Sequence, residues 1–315
     1  MSQPIEISLF NPGQSREWDR FVQTEAINAT FIHSRNYISY HGNRFVDCSL
    51  VFSRKNRIEA VIPAVKDAAT FASHPGLTFG GILISKRCRH NDITTIVEVS
   101  KAFLAENGFE RMTITQPPYI YQSQSVGDVD YLLTVSGATI SRRRLLSVVD
   151  LTEQLEYSEL RKRRVKKALH NGLEVKESTE IKAFYEMLAN NLATRYNAKP
   201  VHSLKELELL MSLFPDNIKL YMTFDGDKPV ASSLVYVSPT VVKTQYIAST
   251  EEGRNVGGVD LVLTTIIEEA RRQRKRFVDL GSSENEPYEI NPGLLFQKEG
   301  FGARGVCLDT YTLNL

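Results

Sequence analysis

Two adjacent glycines in the last quarter of the chain carry the first chemical signal. The run Arg254-Asn255-Val256-Gly257-Gly258-Val259 follows an apolar segment near Tyr246 and leads into an amphipathic stretch. Glycine lets a backbone approach a ligand where a side chain would collide. A helix N-terminus adds free N–H groups and the positive end of its dipole. Together these fit a pyrophosphate. The other reading is a turn entering a helix, which also favours paired glycines. A second signal is Arg161-Lys162-Arg163-Arg164-Val165-Lys166-Lys167, six cations in seven residues. On a helix they would cover nearly every face, so they do not make a membrane-type stripe. They read as a clamp for phosphates of tRNA or of a nucleotide-linked acceptor, or as a solvated connector paired to Glu153, Glu156 and Glu159. Arg142-Arg143-Arg144 lies nearby and tips the balance toward an anionic partner.

Other chemistries find less support. No ligand spacing connects His33, His41 and His74, so no metal is expected. Tyr37, Tyr40 and Arg44 suit an acceptor cleft or packing between modules. No Ser-His-Asp order with a nucleophile elbow occurs, and no Walker-type Gly-Lys-Ser/Thr.

The chain has 315 residues, long for one domain and comfortable for two. Apolar content of 42% and charged content of 24% are ordinary for a globular protein. A formal net charge of +1 gives no global field that argues for nucleic acid or membrane. Cys48, Cys88 and Cys307 are odd in number and far apart, which fits reduced thiols. Met1–Glu6 lacks the basic and apolar regions of a signal peptide. No apolar run reaches the length of a membrane span, and a cytoplasmic location is expected.

The elements that must hold these groups are set by periodicity. The first half reads as a strand over Ile5–Phe10 and a helix over Ser15–Ile27. Strands over Cys48–Ser53, Arg57–Val65 and Leu77–Ser85 come next, then a helix over Asn91–Glu106 and a strand over Phe109–Thr115. A short helix in Val129–Ala138 and a strand over Leu145–Leu151 complete it. The second half reads as strand Leu173–Glu177, helix Glu180–Tyr196, and helix Ser203–Phe214 with a capping box from Ser203 and Glu206. Strands Ile218–Phe224, Val230–Val237 and Val241–Ala248 precede helix Val259–Gln273 and strand Arg276–Leu280. Helix Pro292–Glu299 and strand Arg304–Leu313 end the chain. The halves share an order, so two copies of one α/β (α+β) module are expected. The boundary falls in the charged stretch Asp150–Asn171, giving modules over 1–150 and 151–315.

That order resembles the GNAT acyltransferase superfamily, and its doubling resembles the Fem-like (FemAB-type) branch with two tandem GNAT-like modules. Arg254–Val259 stands where the superfamily has Gln/Arg-x-x-Gly-x-Gly/Ala, with Val259 at the last position. Gly293-Leu294-Leu295-Phe296-Gln297-Lys298-Glu299-Gly300-Phe301-Gly302 resembles the Fem-like Gly-Leu-x-x-Phe-Lys-x-x-Phe-Gly run, with Gln297 in place of Phe and Lys298 matching. Ser73-His74-Pro75-Gly76-Leu77-Thr78-Phe79-Gly80-Gly81 looks like a stretch that recurs in this branch.

The resemblance implies two modules with mixed, mainly antiparallel sheets, the first degenerate and facing the acceptor, the second binding the donor. It implies acyl transfer, acetyl transfer foremost, from acyl-CoA (acetyl-CoA) to an amine. Arg254, Asn255, Val256, Gly257, Gly258 and Val259 would hold the pyrophosphate, and an amide near Ile247, Ala248 and Ser249 would polarise the carbonyl. Glu284, in the acidic loop with Glu286, or a water chain would take the proton of the amine; the other reading of these residues is a solvated acidic loop. Tyr288 would return one to the departing thiolate. Lys298 would stabilise negative charge on the carbonyl or a phosphate, or be a surface lysine on a short helix balanced by Glu299. No metal is required. The acceptor would be a small-molecule or peptidoglycan-precursor-like amine. The first alternative keeps the fold and takes the acyl group from aminoacyl-tRNA, as Fem-like peptide transferases do, for a cell-wall precursor. The second is a non-catalytic module that binds a nucleotide-linked metabolite.

Overall fold

The computed structural model describes residues 3–154 and 156–315; Met1, Ser2 and Leu155, which fall within the N-terminal and connector segments, lie outside them. The chain forms two compact units, residues 1–144 with 307–315, and residues 145–306. The expected division at 150 therefore moves. Leu145–Asp150 belongs to the second unit, and the last nine residues return to the first.

The first unit holds β1 (Glu6–Leu9), α1 (Ser15–Thr24), β2 (Leu50–Arg54), β3 (Arg57–Ile62), β4 (Ala64–Asp67), β5 (Thr70–Ser73) and β6 (Leu83–Ile84). It continues with α2 (His90–Glu106), β7 (Arg111–Thr115), α3 (Asp128–Val135) and the start of β8 (Thr139–Asp150). The second unit holds the end of β8, α4 (Glu159–His170), β9 (Glu174–Glu177), α5 (Ile181–Tyr196), α6 (Leu204–Leu213), β10 (Ile218–Asp225), β11 (Lys228–Val237) and β12 (Val241–Ser249). Next come α7 (Glu251–Val256), α8 (Gly258–Arg272), β13 (Phe277–Ser282), the strands β14 (Glu284–Glu286) and β15 (Glu289–Ile290), α9 (Pro292–Glu299) and β16 (Arg304–Asn314), whose end lies in the first unit.

Both units carry mixed, mainly antiparallel sheets. In the first, β4 and β5 pair antiparallel, β5 and β7 parallel, and β7 pairs antiparallel with Thr310–Asn314 of β16. A second sheet joins β1, β2, β3 and β6. In the second unit, β9 to β12 form an antiparallel meander, β12 runs parallel to β13, and β13 pairs antiparallel with Leu146–Asp150. A helix bridges each parallel pair: α2 between β5 and β7, α8 between β12 and β13. This is the crossover that parallel strands require.

Hydrophobic periodicity explains the packing. Val259, Val262, Leu263, Ile266, Ile267 and Ala270 place one stripe of α8 against Val235, Val242, Val278 and Leu280 of the sheet. In the first unit Ile93, Ile96, Val97 and Leu104 of α2 join Leu50, Phe52, Phe71 and Ile114. The expected strand over Leu77–Ser85 shrinks to Leu83–Ile84, because Gly80 and Gly81 give that segment another task. The connector reading of Asp150–Asn171 is also corrected. Ser158 caps α4, and Arg161 and Ala168 of that helix are buried. Among the described residues, no helix is long and apolar enough to cross a membrane. The cysteines are free, Cys48 buried and Cys307 exposed.

Candidate active site

The second unit's parallel pair is short. It aligns Val241, Val242 and Lys243 with Phe277, Val278 and Asp279. Across β12, Val235 stands opposite Thr244 and Leu234 opposite Tyr246, so Gln245 is an extra residue. Side chains of a strand alternate between faces, and one added residue reverses the sense of everything beyond it. Val242 and Val278 face α8. Lys243 and Asp279 therefore point to the other face. Without the bulge Tyr246 would face the α8 core; with it, Tyr246 lies on the same face of the sheet as Lys243 and Asp279.

That face collects buried charge. Asp279 is fully buried in an otherwise apolar strand. Its carboxylate accepts the N–H of Gly281 at 2.7 Å and lies 3.5 Å from Lys243 Nζ. Thr244 Oγ1 donates to the Asp279 carbonyl at 3.3 Å. Gly281 has φ +76°, a left-handed turn that glycine adopts without strain.

Lys298 reaches the cluster from α9. Asn291 caps that helix by accepting the Leu294 N–H at 2.9 Å, with Pro292 in its first turn. Lys298 is 4% exposed and donates to the carbonyls of Gly281 at 3.0 Å and Ser282 at 2.7 Å. Burial pushes its ammonium down to about 8; Asp279 opposes this and Lys243 adds to it. An ammonium has three N–H groups, and two are used. Ser283, buried beside it in sequence, has a hydroxyl without a protein partner. Also on this face, Tyr246 Oη lies 2.6 Å from His202 Nδ1. Burial pushes the Tyr246 phenol up to about 12, so it carries its proton at neutral pH.

Of the residues expected from sequence, Lys298 is brought into this cluster. Glu284 is half-buried on β14, one residue past Ser283, with its N–H directed at Ser282 Oγ. Tyr288 sits in the turn between β14 and β15 and is 64% exposed, so it is turned to solvent rather than buried with Lys298. Ile247, Ala248 and Ser249 lie in regular register with Ser233, Ser232 and Ala231; the break in the ladder is at Gln245. Sequence reasoning does not single out Asp279, Lys243, Tyr246 and His202 as site residues. The signal is there for Asp279, a lone acid in Phe277-Val278-Asp279-Leu280.

The glycine segment is not a loop. Arg254, Asn255 and Val256 end helix α7, Gly257 takes φ +89°, and α8 begins at Gly258. A side chain at Gly257 would come within 2.5 Å of the Arg164 carbonyl oxygen of α4, and one at Gly258 within 3.1 Å of the Gly253 carbonyl oxygen. The glycines thus permit close packing of α4, α7 and α8. Gly258, Val259 and Asp260, the first turn of α8, are all buried. Asp260 is 1% exposed and pairs with Arg161 and with Arg164 Nε at 2.8 Å. Arg164 also donates to the Arg254 carbonyl, and Lys167 to the Asn255 carbonyl at 3.1 Å. An internal carboxylate already stands at the positive end of α8. Lys162, Arg163, Lys166 and Lys167 remain exposed on α4.

Residues 158–289 match the family model described as an acetyltransferase (GNAT) domain. Similar solved structures span the whole chain. FemX is 12% identical with a TM-score of 0.70, covering 98% of this chain and 97% of its own. The C-terminal domain of a putative lysylphosphatidylglycerol synthetase from Agrobacterium fabrum is 10% identical with a TM-score of 0.64, covering 97% and 93%. A tandem GNAT protein from the clavulanic acid biosynthesis pathway is 10% identical with a TM-score of 0.54, covering 99% and 98%. No curated protein sequence matches the chain.

Proposed function

We propose, taking as premise that this chain is an acyltransferase of the GNAT superfamily with the two-module fold seen in FemX, that it transfers an aminoacyl group from aminoacyl-tRNA to the amine of a cell-wall-type precursor. The observation that carries the choice of donor is Asp260. A CoA pyrophosphate held in the usual manner of a helix N-terminus needs accessible amides and no competing anion. Here the first turn of α8 is buried and its dipole is met by the carboxylate of Asp260. The exposed cations of α4 favour an extended polyanion in its place.

The chemistry belongs to the face around Lys298. An acceptor arrives as an ammonium and loses two protons on becoming an amide. Glu284 is the carboxylate assigned to take the first. The amine lone pair then attacks the ester carbonyl, and negative charge builds on its oxygen. The third N–H of Lys298 is the donor for that oxygen, fixed in place by its bonds to Gly281 and Ser282. The ester C–O bond breaks, the ribose oxygen takes up a proton, and the amide is released. The non-catalytic binding reading is set aside with the superfamily assignment.

A second reading keeps the chemistry and takes an acyl-CoA thioester as donor. It is favoured by the GNAT model, whose match includes Arg254–Val259. Calorimetry with acetyl-CoA and with free CoA, run beside a transfer assay with and without RNase, separates the two. No heat from either CoA compound and loss of transfer on RNase treatment are expected. Micromolar binding of acetyl-CoA with RNase-insensitive transfer overturns the tRNA donor.

A further inference from the structure

We propose that Tyr246 and His202 form a proton shuttle that carries the second proton of the attacking amine to the leaving group. The inference rests on the acyl-transfer reading above and adds a role that the reading leaves unassigned. Tyr246 is delivered to the reactive face by the extra residue Gln245; a strand in regular register would bury it under α8. His202 is 5% exposed, in the residues leading into the capping box of α6, where Ser203 and Glu206 hold the chain. The rings meet edge to face, with centroids 5.8 Å apart at 89°, and Phe184 of α5 packs on Tyr246 at 6.5 Å. The contact at 2.6 Å joins Oη to Nδ1, the geometry needed for transfer along it. Tyr185 of α5 and Glu206 of α6 are the titratable groups that act on this phenol, and Lys243 shares its strand.

The steps balance. Attack of the neutral amine gives a tetrahedral species with nitrogen positive and oxygen negative. The nitrogen gives its proton to Tyr246 Oη as the phenol proton passes to His202 Nδ1, which leaves an imidazolium. When the C–O bond breaks, the phenol proton goes to the departing ribose oxygen and Nδ1 returns its proton to Oη. The pair ends as it began, and the proton has moved from nucleophile to leaving group. Tyr246 is the group that touches the reacting atoms. His202 acts through it.

The test uses the full chain with a pool of aminoacyl-tRNA, and in parallel acetyl-CoA, as donor and a cell-wall-precursor peptide with a free primary amine as acceptor, with the enzyme-free rate subtracted. Rates are measured from pH 5.5 to 9, with Tyr246→Phe, His202→Gln, His202→Asn and the double variant Tyr246→Phe/His202→Gln. Each single change should lower kcat by about 10²-fold with donor KM within about 3-fold, and the double change should cost no more than either single one. His202→Asn is decisive, because the Asn carbonyl offers an acceptor near the Nδ1 position and holds Tyr246 but cannot take up its proton. Full activity in His202→Asn, or additive losses in the double variant, overturns the shuttle and leaves acyl transfer standing. A wild-type chain that transfers from neither donor overturns the acyl-transfer reading and the shuttle with it.

Discussion

The two parallel strand pairs, β5 with β7 in the first unit and β12 with β13 in the second, begin alike and are filled differently. Each aligns three residues on either strand, Thr70–Ala72 with Arg111–Thr113 and Val241–Lys243 with Phe277–Asp279, before the ladder ends. In the first unit the chain itself occupies the space beyond the ladder. Ser73 Oγ accepts the Thr115 N–H at 2.8 Å, and the Gly80 N–H bonds to the Thr115 carbonyl at 3.2 Å. Gln116 Oε1 accepts the Ile82 N–H at 3.0 Å. In the second unit the same position holds side chains: Thr244 on the Asp279 carbonyl, and Lys243, Asp279 and Lys298 clustered beside it. A gap between parallel strands leaves backbone groups that need partners. Filling it with backbone makes a core. Filling it with titratable groups leaves a site whose charges can act on a substrate.

The largest effect that would sharpen this contrast lies at Asp260. If that carboxylate is the internal anion of α8, Asp260→Ala leaves Arg161 buried and unpaired, and stability should fall by roughly 3–5 kcal/mol. Urea unfolding reads it directly; a loss below about 1 kcal/mol would mean that the pair is dispensable. Next comes Lys298→Met, which keeps the stem and removes the donor. The expected loss is about 10²–10³ in kcat, with donor binding retained. The pH profile gives the sign. Charge stabilisation needs the ammonium, whose value is depressed to about 8, so the rate should fall as pH rises through that value. A profile flat to pH 9.5 would remove Lys298 from the chemistry.

The helix that carries Lys298 was legible in sequence, because its periodicity and the Gly-Leu…Lys run are local signals. The capping box of Ser203 and Glu206 was legible for the same reason and forms as expected. The bulge at Gln245 was not, since register is a property of two strands. Tyr246 therefore carries no sequence-level role although its segment stands out. Helix α7 escapes sequence reading despite a local signal: Thr250 followed by Glu251 and Glu252 is a capping sequence, and the Thr250 hydroxyl accepts the Gly253 N–H at 2.9 Å. The paired glycines outweigh it. Arg161, Arg164 and Ala168 mark an inward stripe on α4, but their partner Asp260 lies 99 residues from Arg161. Nothing local announces such a pairing, and the run reads as solvated or ligand-binding.

The smallest expected effect tests the first unit's side of the comparison. Gly81 takes φ +84°, and a Cβ there would lie 2.3 Å from Pro117 Cδ and 2.9 Å from Gln116 Oε1. Gly81→Ala must strain the backbone and push against a proline ring that has little room to move, at a cost of roughly 2 kcal/mol. If the segment serves to close the gap between β5 and β7, the loss should appear as a lower Tm, with kcat per folded molecule preserved. The amides from Gly80 to Ile82 should exchange faster with solvent, because the bonds to Thr115 and Gln116 loosen. A variant with wild-type Tm and a large fall in kcat would reverse the assignment: the glycine would then serve the reaction, and the two strand pairs would share the chemistry.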